Sequence, residues 1–147
     1  MFELNVENYI LQDALKIALN RYLSKNEIKV DVVKGKRGKV GECIDNSIRE
    51  GKERVAIGFC VFQDESLINT IDIIIHSINY KDGKYIDNTD INEKYSFYLI
   101  GEYTNLNKVN LKEAMIIISK RYKKLAIKEL KHIYEDIGLG SFNLKEV

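Results

Sequence analysis

A thiol, an imidazole and a carboxylate occur in this chain in an order that suits nucleophilic catalysis. The sequence holds two cysteines, Cys43 and Cys60, and two histidines, His76 and His132. Cys43 follows Gly41-Glu42, and the run to Glu50 reads as a short helix closed by Gly51. A thiol at a helix N-terminus sits beside unpaired backbone N–H groups and the positive end of the helix dipole. With a histidine nearby, the pKa of such a thiol falls from roughly 8.5 into the range of about 3.5 to 7.5. The same N–H groups can also stabilise an oxyanion.

Strand parity links the other two groups. Asp82-Gly83 is a hairpin signal between Ile71–Tyr80 and Tyr85–Thr89. That turn sets Lys81 opposite Lys84, Tyr80 opposite Tyr85, Ile78 opposite Asp87 and His76 opposite Thr89. His76 and Asp87 then share one sheet face as diagonal neighbours, with Cα atoms roughly 7 to 8 Å apart, a span two polar side chains bridge. A one-residue bulge would separate them onto opposite faces. The geometry assigns attack to Cys43, proton transfer to His76 and orientation of the imidazole to Asp87. His132 lies in the basic last turns of a helix and has no comparable setting.

Three stretches carry a family resemblance: Gly41-Glu42-Cys43, His76-Ser77-Ile78-Asn79-Tyr80, and Asp82-Gly83-Lys84-Tyr85-Ile86-Asp87-Asn88-Thr89. Together they resemble the core of the transglutaminase-like branch of papain-like cysteine hydrolases, over about residues 41 to 89. The resemblance implies a thiol nucleophile at Cys43, a base at His76 and an orienting acid at Asp87; no cofactor and no metal are expected. Two positions depart from the family pattern. Asn88 stands where proline is usual, and Ile78 stands where an aromatic residue is common. Asn46, three residues after the cysteine, is the side chain considered as an oxyanion or supporting group.

The elements that must position these groups follow from periodicity. About Val6 to Leu23 places Ile10, Leu11, Ala14, Leu15, Ala18 and Tyr22 at helical spacing. Ile28 to Val32 alternates as a short strand. Arg54 to Phe62 and Tyr95 to Tyr103 are strand-like, and with the hairpin they predict an antiparallel meander. Asn110 with Glu113 has capping-box spacing before a long helix to about Asp136, ended by Gly138. Its stripe runs through Leu111, Met115, Ile118, Tyr122, Leu125 and Ile133. The class is α+β: a meander packed with an N-terminal helix, a short cysteine-bearing helix and a long C-terminal helix. No repeat or linker divides residues 1–147, so a single domain is expected.

Between the first strand and Cys43, Lys34-Gly35-Lys36-Arg37-Gly38-Lys39-Val40-Gly41 alternates glycine with basic residues. It lacks phosphate-loop spacing, because Val40 stands where the second glycine belongs. The expectation is a solvated flexible loop. Its functional reading makes Lys36, Arg37 and Lys39 a mobile wall of the cleft that attracts an anionic substrate or partner.

Composition bounds the rest. Apolar residues make up 45% of the 147 and charged residues 31%, with a net charge of +1. That balance suits a folded globule and removes any bulk electrostatic case for nucleic acid or an anionic membrane. Met1-Phe2-Glu3-Leu4-Asn5 carries no positive leader, and no apolar run approaches a membrane span, so a cytoplasmic protein with reduced thiols is expected. The abundance of Lys, Ile and Asn suggests an AT-rich coding genome, bacterial or phage. The cysteine and histidine separations lack the paired spacings of a zinc finger or ribbon.

Each site residue also has a structural reading. Cys43 and Cys60 suit small buried hydrophobes, His76 a satisfied core histidine, and Asp87 a strand-end residue bonding its own backbone. The expected function is therefore an intracellular cysteine hydrolase or acyl transferase acting on an amide or thioester. Its substrate, whether small molecule, peptide or protein, is unspecified. The alternatives are a non-catalytic binding or regulatory module of the kind a phage encodes, and a nucleic-acid binder. The last would use the basic C-terminal helix around Lys120, Arg121, Lys123, Lys124, Lys128 and Lys131.

Overall fold

Two successive positive φ values, 52° at Asp82 and 77° at Gly83, form the turn that the Asp-Gly pair predicts. They join the two strands on which the site rests. A computed structural model describes residues 9–50, 54–63 and 71–136. In chain order its elements are α1 (Tyr9–Asn26), β1 (Ile28–Val30), β2 (Val32–Gly38), α2 (Cys43–Glu50), β3 (Arg54–Gln63), β4 (Ile71–Lys81), β5 (Lys84–Thr89), β6 (Ser96–Tyr103) and α3 (Lys108–Asp136). The class is α+β. The expected ends of α2 at Gly51 and of α3 at Gly138 lie outside the described residues, as do Val6 and the side chains of Ile10 and Leu11 in the first stripe.

The six strands form one mixed sheet in the order β1-β6-β3-β4-β5-β2. The hairpin register is the expected one, with Tyr80 opposite Tyr85 and Lys81 opposite Lys84. The meander is not. β6 does not continue outward from β5; it returns to the far side of β3 and pairs there antiparallel, Phe97 opposite Cys60. The outer edge of β5 is taken instead by β2, in parallel.

The basic segment expected to be a flexible loop is thus an edge strand to Gly38. Its glycines explain why. A Cβ on Gly35 would lie 2.1 Å from Asn88 Oδ1, and one on Gly38 would lie 2.2 Å from Asn46 Oδ1. Only bare backbone lets the strand approach so closely. The Lys36 amide donates to Asn88 Oδ1 at 3.0 Å.

β1 and β2 lie at opposite ends of the strand order, yet only Asp31 separates them. Two residues of chain span at most about 7 Å, so the two edges must come together and the sheet rolls toward a barrel. Inside it pack Ala56, Cys60, Ile78 and Phe97, with Val30 and Val32 against them from the two edges. The opposite face carries Val55, Ile57, Phe59, Ile73 and Ile75. There α1 brings Leu15, Ala18, Leu19 and Leu23, and α3 brings Leu111, Met115, Ile118, Tyr122 and Leu130. The expected stripes are buried at Leu15, Ala18, Leu111, Met115, Ile118 and Tyr122, while Leu19, Leu23 and Leu130 join them beyond the expectation. The cap of α3 is Asn107 rather than Asn110. The Asn107 side chain accepts from the Asn110 amide at 2.8 Å. Among the described residues no helix is long and apolar enough to cross a membrane.

Candidate active site

The cysteine is placed by a turn and a cap. Gly41, at φ 85°, reverses the chain. The Asn46 amide then donates to Glu42 O at 2.9 Å, which makes Glu42 the cap and Cys43 the first helical residue. The backbone N–H groups of Cys43, Ile44 and Asp45 precede the first intrahelical bond and have no helical acceptor of their own.

Side chains of the sheet hold this short helix in position. Ser77 Oγ donates to Cys43 O at 3.1 Å and lies 2.9 Å from Ser47 Oγ. Asn79 Nδ2 donates to Ser47 O at 2.9 Å. Ser77 and Asn79 therefore face α2, and alternation turns His76 and Ile78 to the other side of β4. Backbone pairing between β4 and β5 runs from Lys81 opposite Lys84 to Asn79 opposite Ile86. Beyond it side chains join the strands: Asn88 Nδ2 donates to Asn79 Oδ1 at 2.7 Å, and His76 meets Asp87. At this opening Cys43 and His76 line the same cavity.

His76 is 2% exposed and Asp87 3%. Both carboxylate oxygens approach His76 Nε2, at 2.9 and 3.0 Å. Nε2 is engaged there, which leaves Nδ1 as the ring nitrogen for the thiol. Asp87 also receives the Thr89 amide at 3.0 Å and the Tyr95 hydroxyl at 2.5 Å. The Tyr95 ring stands edge-on to His76, with centroids 6.5 Å apart.

The electrostatics follow from these partners. Burial opposes the thiolate, yet the His76 hydrogen bond and charge, with Ser77, bring Cys43 from 9.0 down to about 7. Burial likewise opposes an imidazolium, but Asp87 and Cys43 raise His76 from 6.5 to about 9. Burial alone would raise Asp87; His76, Tyr95 and the Thr89 amide instead hold it below its ordinary value. These shifts favour a thiolate–imidazolium pair, backed by a carboxylate, over the neutral thiol and imidazole. Cys60, inside the barrel and 0% exposed, goes the other way: burial pushes its thiol well up.

Asn46 does not reach toward the cleft. Its amide donates to Lys39 O at 3.1 Å and Thr89 Oγ1 at 3.0 Å, and the residue is 2% exposed. It locks the turn before Cys43 to the end of β5, which is a supporting role and not that of an oxyanion donor. The basic residues are also turned to other work. Lys36 pairs with Glu50 at 3.5 Å; Arg37 pairs with Asp90 at 2.9 Å and reaches Asn92. Lys39 contributes its carbonyl to Asn46. None of the three lines the cleft, a cavity of about 430 Å³ beside Cys43 and His76.

Ser77, Thr89 and Tyr95 are the functional neighbours that sequence reasoning passed over. Ser77 and Thr89 adjoin known candidates and were legible by proximity. Tyr95 reaches Asp87 only because the chain recrosses the barrel after β5, which no local signal carries. Among the described residues no three His, Cys, Asp or Glu side chains group as metal ligands. The chain matches no family model, no curated protein and no solved structure.

Proposed function

We propose that this chain is a cysteine hydrolase or acyl transferase acting on an amide or thioester, with a site like that of the transglutaminase-like and papain-like enzymes. One observation carries the reading: a buried imidazole hydrogen-bonded to the Asp87 carboxylate lines the same cavity as the Cys43 thiol, whose pKa it draws down. In this reading the Cys43 thiolate attacks the substrate carbonyl carbon, forming a C–S bond and an oxyanion. The backbone N–H groups at the helix start, that of Cys43 among them, are the donors this reading assigns to that oxyanion. As the C–N bond breaks, His76 gives its proton to the departing amine, leaving a thioester on Cys43. Water or an amine then attacks the thioester and passes its proton to His76. The C–S bond breaks, and the thiolate–imidazolium pair is restored. Asp87 keeps its proton balance throughout and holds the imidazole in register.

The test is alkylation by iodoacetamide at about pH 6, followed at each cysteine by mass spectrometry. Labelling of Cys43 ahead of Cys60, slowed by His76→Ala, supports the reading. A Cys43 that reacts no faster than a free thiol removes it.

A further inference from the structure

The longest helix is also the most lopsided in charge. Lys108–Asp136 carries eight lysines and arginines against four acids, a net of +4 in a chain whose total is +1. Lys120, Lys124, Lys128 and Lys131 follow one another at intervals of four, four and three residues, which sets them along one side of α3 over about 16 Å. All four are exposed, and none has an acid within ion-pair distance among the described residues. Between Glu113 and Glu135 the helix holds one acid, Glu129, and it is turned toward α1, where Arg21 and Lys25 share it at 3.3 and 3.2 Å. The lysine side of α3 continues toward the helix start as Val109, Ile116 and Ile117, which are 64, 45 and 65% exposed. Three bulky aliphatic side chains thus stand in solvent in line with four unpaired lysines.

From this face we propose that the protein docks on an anionic lipid surface, with α3 lying along the headgroups. The four ammonium groups would meet lipid phosphates and carboxylates while their stems lie along the interface, and the isoleucines would reach the acyl boundary. The occupant follows from the two features together. A nucleic-acid backbone complements the lysines but leaves the aliphatic side chains in water. A protein interface buries aliphatic side chains at its centre and depletes lysine there. A headgroup layer is charged, hydrated and backed by hydrocarbon, so it accepts both. The stripe that packs on the sheet, Leu111, Met115, Ile118 and Tyr122, lies on the opposite side of the helix and stays in place. Docking therefore needs no unfolding, and it is independent of the chemistry assigned to Cys43.

The test mixes the full chain with vesicles of phosphatidylcholine alone, or of phosphatidylcholine and phosphatidylserine in equal parts, and measures the bound fraction by sedimentation. Binding to the anionic vesicles is expected to exceed binding to the neutral ones by about a hundredfold at low salt, and to fall as salt is added. A lysine beside such a surface is worth about fivefold in partitioning, so Lys120→Gln combined with Lys124→Gln should weaken binding by about twentyfold. Ile116→Ala combined with Ile117→Ala should weaken it by about tenfold and leave the salt dependence unchanged. Both pairs are exposed, and glutamine and alanine are good helix formers, so the fold should tolerate each change. Equal binding to the two kinds of vesicle, or no loss from the lysine changes, overturns the proposal. A loss from the lysine changes with none from the isoleucine changes overturns the lipid. A single-stranded oligonucleotide bound more tightly than the vesicles would then assign the face to nucleic acid.

Discussion

Tyr95 Oη and His76 Nε2 share one acceptor, the Oδ2 atom of Asp87, at 2.5 and 3.0 Å. The phenol steadies the carboxylate that steadies the imidazole, and it approaches from the segment between β5 and β6. Tyr95→Phe removes that donor and keeps the ring. A hydrogen bond to a charged group is worth about 1.5 to 3 kcal/mol, so a loss of about 1 to 2 kcal/mol is expected for this partly exposed one. Urea unfolding at pH 7 measures it. An unchanged midpoint would mean that the phenol contributes nothing to Asp87.

The pH dependence of labelling follows from the shifted groups. Cys43, lowered to about 7, should gain reactivity toward iodoacetamide as pH rises through about 7, not through 9. Turnover also needs protonated His76, held up to about 9, so a rate bell between about 7 and about 9 is expected. In His76→Ala the labelling midpoint should climb toward the ordinary thiol range. A midpoint that stays near 7 would assign the shift to the helix start alone.

Asp87→Asn tests the orienting carboxylate. An amide of the same shape cannot hold the imidazolium, and in a related geometry such a change lowers turnover by about 10⁴-fold. A similar fall is expected here on any substrate found, with the circular-dichroism spectrum preserved. The stability signature has a definite sign. Asp87 is held below its ordinary 3.8, so its contribution is present above that value and is lost as pH falls through the lower folded value. Asp87→Asn should therefore unfold less steeply with acid than wild type.

How much of this was legible from residues varies along the chain. The Asp82-Gly83 pair dictates both the turn and the register beyond it, so the adjacency of His76 and Asp87 could be derived. Gly41-Glu42 likewise announces a helix that begins at Cys43. The order of the strands could not be read. β2 is a strand because Asn88 and Asn46, more than fifty and eight residues along, fit against Gly35 and Gly38. A glycine every third residue reads locally as a loop. The return of β6 to β3 depends on which edge of β5 is already occupied, and that too is a non-local fact.

Gly38 and Asn46 give the sharpest packing test. Gly38→Ala would drive a methyl into the Asn46 amide, at a cost of about 1 to 3 kcal/mol for overpacking. Asn46→Ala removes the bonds to Lys39 O and Thr89 Oγ1 but leaves space. The double substitution should therefore lose less than the sum of the two singles, by about 0.5 to 3 kcal/mol in a double-mutant cycle. Simple additivity would show that the close approach is not a constraint.

The single residue between β1 and β2 has a consequence for how the chain comes together in time. Val30 must meet Phe97, and Val32 must meet Tyr85, so neither partner of Asp31 finds its place until the middle of the sequence has been made. Most of the search is over distant pairs, which places refolding in the slower range for domains of this size, about milliseconds to seconds. The nine tyrosines and the absence of tryptophan make tyrosine emission the natural clock for a stopped-flow experiment. On a ribosome the N-terminal strands would wait, unpaired, for their neighbours to emerge. Cys43, borne on the segment that follows them, would acquire its histidine late.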